Sequence, residues 1–322
     1  MVHDPQYVTE HATTIYDFCL RTEEDYTASM YMSFQNDITD KMRAILVDWL
    51  VEVHLKFKLL PETLYLTVNL IDRYLEKEQI VRGKLQLVGV TAMLIACKYE
   101  EIYPPIVKDF VYITDNAYSH AEILKMEQKI LTALDFNITI TSAYRFLERY
   151  IYLSKPTDFE KFFAQYLIEG CLVEYQMLKY RPSIMAASAL YFAAKMLRSK
   201  DPWSHFMVEN TKIKESELRS CARDMIDVLR QIGQNESLKA VQNKFALPKF
   251  GKVSNTKIER NPNHHKAGNN RQQSVSSANN QSQSTLKAAT KQAQQTRSLS
   301  STHATPSTHG KADRLHAALQ QN

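Results

Sequence analysis

Between residues 42 and 53 the chain leaves almost no surface for solvent. Met42, Ile45, Leu46, Trp49, Leu50 and Val53 recur at i, i+3, i+4 and i+7, the spacing of a helix. Ala44, Val47 and Val51 fill the opposite side. A helix that is apolar all round sits inside a domain with others packed about it, so this one is expected to be a hub. Arg43, Asp48 and Glu52 interrupt the apolar surface. A buried Arg demands a carboxylate, because stripping one partner from such a pair costs about 3–5 kcal/mol. Asp72, on the next apolar helix, is the best candidate.

The neighbouring periodicities are helical too. An amphipathic helix is expected over residues 4–24, with Val8, Ile15, Phe18 and Cys19 on one face, followed by an aperiodic stretch at 27–36. Asp37, Thr39 and Asp40 offer caps for the hub. A helix follows Pro61, which is tolerated in a first turn. Another spans 84–99, where small Gly89, Ala92 and Ala96 permit close approach, until Pro104-Pro105 forces a break. Short helices near 105–113 and 119–134 complete a five-helix unit. Five further segments (141–153, 158–175, 182–198, 204–211 and 215–231) repeat the plan. The small-residue helix that opens at Pro182 falls about 95 residues after its counterpart. With no alternating strand pattern, the body is expected to be all-α: two tandem units joined near 137–141.

Composition divides the chain. From Lys252 to Asn322 there is no Phe, Tyr or Trp, and ten Lys/Arg stand against two acids. That segment carries +8; since the whole chain is +5, the remainder is −3. Its composition predicts disorder, and the basic excess belongs to it rather than to a nucleic-acid-binding domain. Four scattered cysteines (Cys19, Cys97, Cys171, Cys221) lack metal-ligand spacing and read as buried thiols in a reducing compartment. No secretory signal or membrane-length apolar run is visible, so a soluble intracellular protein is expected.

No catalytic constellation emerges. There is no Gly-rich phosphate loop, no nucleophile elbow and no paired-Cys motif. His54 reads as a packed or surface histidine. Glu100 and Glu101 could be an acid/base pair, but adjacent residues on a helix do not face each other. No enzyme activity, metal or cofactor is expected. The informative stretch runs from Lys98 to Pro105, where charge and aromatics meet at a helix end. That mixture forms interface hot spots.

These motifs carry a resemblance. Met42-Arg-Ala-Ile-Leu-Val-Asp-Trp-Leu50, Asp72-Arg-Tyr-Leu75, Arg82-Gly-Lys-Leu-Gln-Leu-Val-Gly89 and Ala96-Cys-Lys-Tyr-Glu-Glu-Ile-Tyr-Pro-Pro105 resemble the cyclin family, over roughly residues 4–254. Leu59-Leu-Pro-Glu-Thr-Leu-Tyr65, Val90-Thr-Ala-Met93 and the Lys244-Phe-Ala and Lys249-Phe-Gly-Lys-Val-Ser254 stretches look more like mitotic B-type than A-type members. The resemblance implies two cyclin boxes, at 37–138 and 139–251, the second with a closing helix. An N-terminal helix and linker (1–36) would precede them and a disordered tail (252–322) would follow.

It also implies a regulatory subunit that binds and activates a cyclin-dependent Ser/Thr kinase at the G2/M transition, in nucleus and cytoplasm, with no membrane or direct nucleic-acid partner. Lys98 and Glu127 would be polar anchors on the kinase. Tyr99, Glu100, Ile102, Leu131, Phe136 and Ile138 would line the same face, and Ile15 and Phe18 would add a lateral contact. Arg43 and Asp72 would be a structural ion pair. Met42, Ile45, Leu46 and Trp49, bordered by Leu85 and Gln86, would form a shallow groove for Arg-x-Leu peptides of substrates or inhibitors, with Glu52 receiving the peptide cation.

The chain departs from the family in three places. His11 stands where a Tyr is common when aligned on Ile15, which weakens the lateral contact. Arg43-x-x-Leu46 and Arg82-x-x-Leu85 have the minimal spelling of a destruction motif but fall in or beside expected helices. An incomplete N-terminus or another turnover route is therefore expected. The tail is long, with a minimal proline-directed site at Thr305-Pro306, and is expected to be regulatory. The rival reading is a transcription-type relative using a basic face on DNA, which the slightly acidic body disfavours.

Overall fold

The computed structural model describes residues 9–256; the expectations for Val8 and for the tail beyond 256, Thr305 included, fall outside them. The expected start of the tail at 252 is corrected by a 3-10 turn at Val253–Asn255, with Val253 buried. A 3-10 turn at Thr9–His11 leads into α1 (Ala12–Thr22). The first box comprises α2 (Asp40–Phe57), α3 (Pro61–Lys77), α4 (Leu85–Glu100), α5 (Val107–Ile113) and α6 (His120–Ala133). The second comprises α7 (Ala143–Ser154), α8 (Asp158–Val173), α9 (Pro182–Met196), α10 (His205–Thr211) and α11 (Glu215–Gln234), closed by α12 (Ala240–Phe245). No strand occurs among the described residues.

Local chemistry sets the ends. Thr39 caps α2 through Met42 N–H, Ser142 caps α7 and Ser204 caps α10. Reciprocal capping boxes start α6 (Ser119 with Glu122) and α8 (Thr157 with Glu160). Hydrogen bonds from Ser119, then from Lys84, pull the Glu122 carboxyl down to about 2. Pro61 and Pro182 occupy the first turns of α3 and α9. Asp37, one of the expected cap residues, instead receives Arg82.

The packing revises the hub. The centre of the first box is α4, buried without interruption from Leu85 to Cys97, and its counterpart is α9, buried from Ser183 to Ala193 except Met185. α2 instead lies between the boxes, against α4 on one side and α8 and α12 on the other. That position explains its all-round apolarity: one face serves each box. Gly89 sets the distance to α4, since a Cβ there would meet Leu46 Cδ1 at 2.7 Å.

Arg43 is the polar node of this junction. Its Nε and Nη2 donate to the two Asp72 carboxylate oxygens at 2.6 and 2.7 Å. Nη1 donates to the Leu172 carbonyl at 2.9 Å, a cation at the C-terminal end of α8 where the helix dipole favours one. Tyr31 donates to Asp72 at 2.8 Å. Burial would push the guanidinium pKa down; Asp72 and Tyr31 more than offset it, and the net shift is upward.

The N-terminal segment divides between the boxes: residues 26–36 bond to the first, through Tyr31 to Asp72 and Gln35 to the Leu75 carbonyl, while α1 docks on the second. Its buried anchor is Tyr16, whose hydroxyl donates to the Thr211 carbonyl at 2.8 Å and meets the Tyr150 hydroxyl at 3.1 Å. Glu23 accepts from Ser183 at the start of α9. The helix turns its Tyr16 side inward, so the expected apolar face stays largely outside: Ile15 and Phe18 are 49% and 58% exposed and Cys19 is half-buried. At the other end, α12 is held by Asp48 accepting from Ala240 N–H at 2.9 Å and by the buried Lys244–Glu169 pair at 2.7 Å.

Candidate functional site

The stretch from Lys98 to Pro105 emerges where α4 ends. Lys98 Nζ and Glu127 Oε1 form an ion pair of 2.7 Å bridging α4 and α6, with the two side chains 47% and 14% exposed. The two candidate anchors therefore stand together, each satisfied by the other in the free chain. Tyr99 OH meets Thr139 Oγ1 at 2.5 Å, tying the end of α4 to the segment between the boxes.

Beyond them the surface is apolar. Ile102 is 85% and Phe136 67% exposed, while Leu131 and Ile138 are half-buried. Tyr103, within the informative stretch, is exposed, and so is Ile106, which the sequence left out because a residue trailing a Pro-Pro break carries no periodic signal. Asp135 and Phe136 take left-handed φ of 50° and 58°, and Phe136 N–H donates to Leu131 O at 2.9 Å, terminating α6. Such a conformation in a bulky residue costs on the order of 1–3 kcal/mol and concentrates at functional sites. Here it turns an aromatic ring out to solvent.

The two adjacent glutamates serve different ends. Glu101 Oε1 accepts from Leu60 N–H at 2.7 Å and from Thr63 Oγ1 at 2.5 Å, capping α3 from another helix. Glu100 is half-buried; its pKa is raised by burial and by nearby Glu62. His54 is buried, with Nε2 at 2.9 Å from the Leu60 carbonyl. Burial, then Lys244, pushes its pKa down to about 3, so it is neutral. Cys97, Cys171 and Cys221 are buried thiols, and no described cluster of His, Cys, Asp or Glu is arranged to hold a metal. No described helix is long and apolar enough to cross a membrane.

The expected groove is largely closed. Met42, Leu46 and Leu85 have no exposure, Gln86 1% and Trp49 5%; of the seven residues only Ile45 and Glu52 are half-exposed. Close seating of α4 on α2 at Gly89 folds the row inward, which corrects the picture of an open row. One anomaly remains in it. Both amide atoms of Gln86 are buried without a hydrogen-bond partner, an expensive state for a donor and an acceptor.

Comparison with known proteins places this geometry. The sequence patterns described as "Cyclin, N-terminal domain" and "Cyclin, C-terminal domain" match residues 14–139 and 141–259. Cyclin-B2-1 of Oryza sativa subsp. japonica is 44% identical over 254 residues, covering 79% of this chain and 60% of that protein. Cyclin-B2-2 of Arabidopsis thaliana is 43% identical over 251 residues, covering 78% and 58%. G2/mitotic-specific cyclin-1 of Medicago sativa subsp. varia is 44% identical over 249 residues, covering 77% and 58%. The chain thus spans about three fifths of the length of these relatives. In fold it matches a viral cyclin from herpesvirus saimiri with a TM-score of 0.61 at 22% identity, over 67% of this chain and 97% of that one. Two matched domains meeting at α2, and Cyclin-B2 relatives 43–44% identical, lead to one conclusion: the chain belongs to the cyclin family and resembles its B-type members.

Proposed function

We propose that this protein is the regulatory subunit of a cyclin-dependent Ser/Thr kinase, acting at the G2/M transition in nucleus and cytoplasm, and that it supplies binding rather than catalysis. The observation that carries this reading is the Lys98–Glu127 pair bordered by exposed Tyr99, Ile102 and Phe136. A paired charge beside an apolar edge suits a partner surface that brings its own polar groups to the anchors.

The mechanism is a population shift. An inactive kinase holds its αC helix outward, separating the β3 Lys from the αC Glu that must pair over the ATP phosphates. A rigid face that binds only the inward helix biases that equilibrium by its differential affinity. Going from 1:99 to 99:1 takes about 5.5 kcal/mol, within reach of an edge containing several large apolar anchors. Ile15 and Phe18, exposed on α1, supply a lateral contact in this reading.

The groove reading rests on Gln86. Its unpartnered amide can pair with the backbone of an extended Arg-x-Leu peptide, once the peptide's Leu displaces the packing beside Ile45. Glu52 then receives the cation. Gln86→Ala is expected to weaken such a peptide selectively, leaving kinase binding unchanged.

The test is capture of cyclin-dependent kinases by the full chain, with histone-peptide phosphorylation as readout, for wild type and Lys98→Ala/Glu127→Ala. Loss of both in a variant of unchanged helicity supports the reading. Failure of well-folded wild type to bind any such kinase overturns it and favours the DNA-binding alternative. Steep weakening of DNA binding with salt would then be diagnostic.

A further inference from the structure

The recognition edge has a weak point that its own sequence does not reveal. α4 ends at Glu100, and the chain then crosses to α5, which starts at Val107. Ile102, Tyr103 and Ile106 are 85%, 91% and 61% exposed. Residues 102–105 enter no hydrogen bond among the described residues. Exposed side chains on unbonded backbone should fray.

The attachment on the α4 side is Glu101. Its N–H still bonds Cys97 O at 3.0 Å, the last turn of α4. Its carboxylate reaches α3, accepting from Leu60 N–H and from the buried Thr63 hydroxyl. Leu60 holds the cap position of α3 yet has no side chain able to cap, and Pro61 follows it. One carboxylate therefore satisfies an orphan donor of α3 and fixes the point from which the edge departs. Tyr99, two residues earlier, is tied to Thr139 on the other flank.

We propose that Glu101 is a positioning residue for kinase recognition: by capping α3 it locks the departure of residues 102–106, so that Ile102 and Tyr103 are presented in one geometry. This rests on the reading that the edge docks a kinase. Binding a preordered edge avoids the entropy of ordering it at the interface, and the effect should appear as affinity rather than as new contacts.

The experiment uses the full chain as wild type, Glu101→Gln, Glu101→Ala, Ile102→Ala/Tyr103→Ala, and the triple variant. Kinase affinity is read by calorimetry and backbone protection by hydrogen exchange in the free protein. Glu101→Ala is expected to speed exchange at 101–106 and to weaken the kinase by about tenfold, the scale of a lost cap. Glu101→Gln, which keeps the acceptor oxygen, should recover most of the affinity. In the Ile102→Ala/Tyr103→Ala background the Glu101→Ala penalty should vanish, because no edge remains to be positioned. The same penalty in both backgrounds would reduce Glu101 to a general structural role and overturn the proposal, as would unchanged exchange at 101–106. Faster exchange in a protein whose wild type binds no kinase would instead sink the functional reading while leaving the latch itself in place.

Discussion

The Glu23 carboxylate accepts hydrogen bonds from the backbone N–H and the hydroxyl of Ser183, each at 2.8 Å, across 160 residues of chain. It is one of three remote caps. Leu60, Arg181 and Lys239 precede α3, α9 and α12 without a capping side chain. Glu101, Glu23 and Asp48 serve those helices from elsewhere in the fold. Each cap joins two modules: α4 to α3, the N-terminal segment to the second box, and α2 to the closing helix.

Loss of the Glu23 cap should therefore free the N-terminal segment before it unfolds anything else. Glu23→Ala is expected to cost about 0.5–2 kcal/mol, the range of a removed cap. Hydrogen exchange should rise over α1 and the first turn of α9. Protection lost uniformly across the chain would contradict the latch.

The Arg43–Asp72 pair should behave asymmetrically. Asp72→Ala strands a buried guanidinium and is expected to cost about 3–5 kcal/mol in urea unfolding. Replacing both residues with apolar ones of similar volume should cost much less. Arg43 also holds the Leu172 carbonyl, so the double variant should still loosen the end of α8.

Acid should find His54. Its ordinary value of 6.5 falls to about 3 on folding, through burial and then Lys244. Between those values the unfolded chain binds a proton that the folded chain refuses. The stability from neutral His54 is thus complete above pH 6.5 and drains as pH falls, at up to about 1.4 kcal/mol per unit. Urea midpoints at pH 7, 6 and 5 should fall more steeply for wild type than for His54→Gln. Parallel slopes would count against it.

Gly89 tests the α2–α4 contact. A methyl at this position meets Leu46 Cδ1 at 2.7 Å, so Gly89→Ala should cost about 1–3 kcal/mol as overpacking, even though Ala favours helix. Adding Leu46→Ala should recover part of the loss. A stabilised single variant in thermal unfolding would show that Leu46 moves aside freely.

The elements and the buried ion pair were legible because they rest on local signals. Period 3.6 marks α2, α4 and α9, and a lone Arg in an apolar helix asks for Asp72. What escaped was placement. The circumference of α2 announced burial but not that two boxes share it. Ile15 and Phe18 were read as an apolar face, while Tyr16 made the tertiary contacts. The groove residues were chosen by resemblance, and whether Met42 and Leu85 reach solvent depends on helix spacing set by Gly89. Remote caps leave no signal at all, since nothing in the order of residues relates Glu23 to Ser183.

The N-terminal segment also sets a schedule for synthesis. Tyr16 bonds a carbonyl 195 residues downstream, and at about 5–20 residues per second the ribosome makes that partner some 10–40 s later. Until Tyr150 and Ser183 emerge, 134 and 160 residues after their partners, Tyr16 and Glu23 lack their second-box contacts, and α2 shows the face meant for that box. A chaperone that shields nascent chains would meet this protein there, with the first half made and its shared helix waiting for the second.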